Sequence, residues 1–106
     1  MSGAGRILAD IRFVGEVIIW RGPAPFHFVA VPSDQVAELH YAAQLASYGW
    51  GVVPVAATAC GVDFTTSLFP KDGGYLLPIK AAVRKEGPIE PGDRVPIRIR
   101  VMSGTG

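Results

Sequence analysis

Two hydroxyls and two cations are the side chains of this sequence best suited to act on the same ligand. Thr66 and Ser67 stand side by side, and Lys80 and Arg84 follow a short distance on. A phosphate or carboxylate needs hydrogen-bond donors, positive charge and the planar fork of a guanidinium, and these four residues supply all three. They are the candidate ligand-binding residues for a small anion. The plainer account is that Lys80 and Arg84 pair with Glu86, Glu90 or Asp93, which lie close in the chain. Arg94, Arg98 and Arg100 fall on one side of a single alternating segment, and Arg12 joins them if the first and last strands pair. Such a stripe can track phosphates, but outward charges more often keep a strand soluble and unaggregated. The formal net charge is only +1. Nucleic acid is therefore not an expected partner.

Other chemistries find little support. Cys60 as a nucleophile needs a base and an electropositive setting, and neither His27 nor His40 is near it in sequence. It reads as a small core-like thiol in an Ala/Val strand. Two histidines and one cysteine make no recognisable metal-ligand spacing, and Asp10, Glu16, Asp34, Glu38 and Asp63 are scattered. No catalytic residue, metal or cofactor is assigned. Trp20 and Trp50 read as packing residues, or as the lining of a pocket mouth.

The elements that must position these residues follow from periodicity. From Ala9 to Trp20, Ile11, Phe13, Val17 and Ile19 fall on one face and Arg12, Glu16 and Trp20 on the other, with a bulge or bend expected at Gly15. Gly22-Pro23 turns the chain, and Phe26 to Val31 reads as a second strand. At Pro32-Ser33-Asp34 the period changes to that of a helix, expected from about Ser33 to Tyr48 and closed by Gly49. Val36, Leu39, Ala42, Ala43 and Ala46 share an arc of about 120° and form its core face. Tyr41, Leu45 and Tyr48 form a second apolar stripe almost opposite, a candidate interface for a homodimer. Val52 to Cys60 and Val62 to Phe69 read as strands joined at Cys60-Gly61. Lys71-Asp72-Gly73-Gly74 turns into Tyr75 to Lys80. Ala81 to Glu86 is a helical turn, and Val95, Ile97, Ile99 and Val101 point inward in the last strand. The expected fold is mainly β, a closed or nearly closed six-stranded β-barrel with one α-helix.

The totals suit that architecture. A chain of 106 residues, 49% hydrophobic and 18% charged, forms one domain with a real core. Residues 1–8 are expected to be a flexible tail and 9–103 the barrel domain. Its 13 glycines and 9 prolines suit many turns, and its one cysteine allows no internal disulfide. No charged-then-apolar leader or apolar run of membrane length is visible, so a cytoplasmic protein with no membrane association is expected.

Several runs resemble a known family. These are Thr66-Ser67-Leu68-Phe69-Pro70, Gly74-Tyr75-Leu76-Leu77-Pro78-Ile79-Lys80, Val83-Arg84-Lys85 and Pro91-Gly92-Asp93-Arg94-Val95, preceded by Trp20, Phe28-Val29 and Val31-Pro32. In order and spacing they are similar to domain-of-unknown-function family nineteen-oh-five, over roughly Ile11 to Val101. The resemblance implies a small bacterial β-barrel crossed by one helix, and it implies no activity. Two functions remain open. One is a non-catalytic binding module for a small anionic ligand or a protein partner. The other is a small enzyme or nucleotide-handling protein using Thr66, Ser67, Lys80 and Arg84.

Overall fold

Two hairpin turns organise the middle of the chain, and both use the same backbone device. Cys60 and Gly61 have φ of 50° and 79°, and Asp72 and Gly73 have φ of 51° and 79°. Two consecutive residues in the left-handed region, the second a glycine, make the tight turn whose twist matches that of paired strands. The computed structural model describes residues 7–23, 25–46 and 53–102. Within these, β1 (Ile7–Glu16), β2 (Ile18–Trp20), β3 (Phe26–Ala30), α1 (Ser33–Ala46), β4 (Val53–Ala59), β5 (Val62–Lys71), β6 (Gly74–Pro78), α2 (Ala81–Glu86) and β7 (Arg94–Met102) follow one another.

The strands form one seven-stranded sheet in the order β1-β7-β4-β5-β6-β3-β2, with every pair antiparallel. Alternation sets the inner face. Val53, Val55, Ala57 and Ala59 of β4 and Val95, Ile97, Ile99 and Val101 of β7 are all buried. They meet Leu68, Leu77 and Val29 from the neighbouring strands in a single core. The first and last strands do pair, with Arg12 opposite Arg98. The irregularity in β1 falls between Ile7 and Ala9 rather than at Gly15.

The expected closed six-stranded barrel with one helix needs correction. The sheet has seven strands, curls into a half barrel without closing, and is accompanied by two helices. The extra strand arises because the first alternating segment is cut at Val17. Its N–H donates to the Asp93 carbonyl at 2.9 Å, and its carbonyl accepts from the Gly92 N–H at 2.7 Å. Val17 is thereby tied to the turn before β7, and the chain on either side of it joins opposite ends of the sheet. Alternation runs unbroken through Val17, which is itself buried, so the pattern of side chains does not reveal the cut.

Helix α1 lies against the unpaired edge of β1. Gln35 Nε2 donates to the Arg12 carbonyl at 3.2 Å, satisfying one of the groups an edge strand leaves open. Leu39 and Ala42 are buried beneath the helix as its phase predicts, and Val36 packs against the core. The second helix, α2, occupies the place of the expected helical turn. No helix among the described residues is long and apolar enough to cross a membrane.

Candidate functional site

Lys80 is the extended residue that caps the start of α2, and Arg84 lies within the helix. The Arg84 N–H donates to the Lys80 carbonyl at 3.0 Å. Each finds a main-chain carbonyl: Lys80 Nζ donates to Thr65 at 2.8 Å, and Arg84 Nε to Ile79 at 3.3 Å. Neither forms an ion pair with Glu86, Glu90 or Asp93 among the described residues. Asp93 instead accepts the Glu90 N–H at 2.9 Å, closing the turn ahead of β7. One carbonyl satisfies one donor of each cation, and an ammonium and a guanidinium have several. Both therefore keep donors for an incoming anion.

His27 joins them, and sequence reasoning did not place it there. It lies on the same side of β3 as Val29, which is fully buried, and its carbonyl accepts the Ile79 N–H at 2.9 Å. Ile79 thus holds His27 through its N–H and Arg84 through its carbonyl. Nδ1 of His27 is buried and has no hydrogen-bond partner among the described residues. Burial, and secondarily the nearby Arg84 charge, push its pKa below the ordinary 6.5. At neutral pH the uncharged ring is therefore favoured. The available signal was its odd-numbered position in the alternation of β3, two residues before Val29.

Thr66 and Ser67 separate. Successive residues of a strand face opposite sides of the sheet, so Thr66 shares the side of Leu68 while Ser67 shares that of Asp63 and Thr65. No hydrogen bond joins either hydroxyl to Lys80 or Arg84 among the described residues, and the contact of Lys80 falls on the Thr65 main chain. The two hydroxyls therefore lie on opposite faces of β5. Tyr41 of the helix stripe is 67% exposed, whereas the Leu45 side chain and Tyr48 lie outside the described residues.

The arginines face outward from β7 and β1 as expected, but they are not a uniform stripe. Arg98 binds Asp10 with both arms, Nε to Oδ1 at 3.0 Å and Nη2 to Oδ2 at 2.7 Å. That contact holds the Asp10 carboxyl below its ordinary value and the guanidinium above its own. Cys60, expected among core residues, is exposed at the β4–β5 turn. The inward positions of β4 are Val53, Val55, Ala57 and Ala59, and Cys60 falls out of that phase. Trp20 is also half exposed, resting on Phe26 with ring centres 5.8 Å apart, while Trp50 lies outside the described residues. No group of three or more metal-ligating side chains occurs among the described residues.

Comparison with known families gives one finding. A family model described as Domain of unknown function (DUF1905) matches residues 13–99. No curated protein matches the chain.

Proposed function

The chain belongs to the DUF1905 family, a membership that carries no activity, and from that premise we propose that it is a non-catalytic module binding a small anion beside α2. One observation carries the reading. Lys80 and Arg84 lie one helical turn apart with no carboxylate partner among the described residues, although three carboxylates follow within a few residues. Charges that merely solubilise a surface have no need of such an arrangement, whereas an anion gains charge-assisted hydrogen bonds from both. Thr65 and Ile79 carbonyls orient the two side chains before a ligand arrives, which lowers the entropy lost on binding.

Thermal melts with increasing sulfate at constant ionic strength test this. Sulfate that binds the native state should raise the melting temperature. In Lys80→Ala/Arg84→Ala the rise should disappear while the variant still unfolds cooperatively. An equal rise in the variant would remove the site. A second reading, self-association through the face of α1 that carries Tyr41, is favoured by that residue's 67% exposure.

A further inference from the structure

A row of four side chains crosses the outer face of the sheet. Arg12 of β1 is the direct partner of Arg98 of β7, Arg98 of Thr58 on β4, and Thr58 of Asp63 on β5. At the usual strand spacing the row spans roughly 14 Å. Three of its members are satisfied. Arg98 is held by both oxygens of Asp10, and Thr58 Oγ1 donates to Asp63 Oδ1 at 2.6 Å. Arg12 is the exception. Its guanidinium makes no hydrogen bond or ion pair among the described residues. It stands opposite another arginine, and like charges in that position destabilise a sheet. Asp10, the carboxylate nearby among the described residues, is committed to Arg98.

Beside this row the surface turns apolar. Val14 and Pro96 are cross-strand partners, one step along from Arg12 and Arg98, and Val14 is 52% exposed. Gly61 stands at the far side without a side chain, and a Cβ built there would meet nothing. These residues line a groove of about 570 Å³, within the size range of small-molecule sites.

We propose that this groove binds a small organic monocarboxylate, with the carboxylate on the Arg12 fork and the apolar body along Val14 and Pro96. The guanidinium offers two parallel N–H donors that match a carboxylate. Binding relieves the repulsion between Arg12 and Arg98. This site is separate from the one beside α2, and each stands without the other.

Amide-resolved NMR titration of the chain with sodium octanoate, at constant ionic strength, provides the test. Saturable shifts are expected at Thr58, Gly61, Asp63 and Arg98. Arg12→Gln should weaken binding by about tenfold or more, while Lys80→Ala/Arg84→Ala leaves it unchanged. Arg12→Gln removes one of two facing cations, so its melting temperature should not fall. 1-Octanol, which keeps the apolar body and lacks the charge, should bind about tenfold or more weakly. The proposal is overturned by shifts that do not saturate, by octanoate affinity indifferent to Arg12→Gln, or by 1-octanol binding as well as octanoate.

Discussion

The His27 ring faces the core side of β3 with Nδ1 unpartnered among the described residues and the Arg84 charge nearby. Both conditions disfavour the imidazolium in the native state, whereas an unfolded chain protonates it near 6.5. The unfolded state therefore binds the proton more tightly. The stability this residue contributes is complete above 6.5 and is lost as the pH falls through the lower native value. Melting temperatures measured from about pH 8 to about pH 5 should fall over the acidic part of that range, and His27→Gln should flatten the fall. A variant whose profile tracks the parent would show that another group titrates. Sulfate bound beside Arg84 would offset the cationic field on the ring, so its protection should be larger at the acidic end.

At the scale of elements, α1 carries the clearest energetic test. Leu39 is 1% exposed, on the same side as Ala42, while Tyr41 points to solvent. Leu39→Ala should cost roughly 2–5 kcal/mol in urea unfolding, since it removes buried methyl groups and leaves a cavity. A loss well under about 1 kcal/mol would mean that the helix turns a different face to the sheet. The phase of this helix was legible because its apolar residues recur at helical spacing. The phase of β7 was legible because every second residue from Val95 to Val101 is a β-branched aliphatic. The placement of Thr66 and Ser67 on opposite faces of β5 was not legible for the complementary reason. Adjacency in sequence looks like proximity, but the pleat sends neighbouring side chains to opposite faces.

The whole molecule is a curled, open sheet in which β1 approaches β3 without pairing with it. Gly15 of β1 lies so close to β3 that a Cβ there would collide with Val29 Cγ1. The glycine thus serves a close approach, which is a different task from the expected bulge. Outside the sheet, Tyr41 is the large apolar group that α1 shows to solvent among the described residues. If self-association uses this face, light scattering at micromolar concentration should give a dimer mass, and Tyr41→Glu should convert it to a monomer that still unfolds cooperatively. Loss of folding in that variant, or a dimer mass that survives it, would assign Tyr41 to another role.

Local chemistry by itself determined which residues turn the chain, which face of β1, β4, β5 and β7 is buried and where α1 starts. Each of these depends on a repeat of two or 3.6 residues, or on a glycine beside a residue that tolerates positive φ, and such signals are written in a few consecutive positions. Membership of the family was also legible, because its motifs are runs of sequence. Only the tertiary structure decided that Val17 leaves the ladder, since the bonds that remove it go to Gly92 and Asp93 far along the chain. Only it brought His27 beside Arg84, and only it set Arg12 against an arginine whose own carboxylate was already taken. Partnership of this kind depends on which strands become neighbours and on which of several nearby charges pair first. Both are outcomes of packing the whole chain, and neither has a counterpart in the spacing of residues along it.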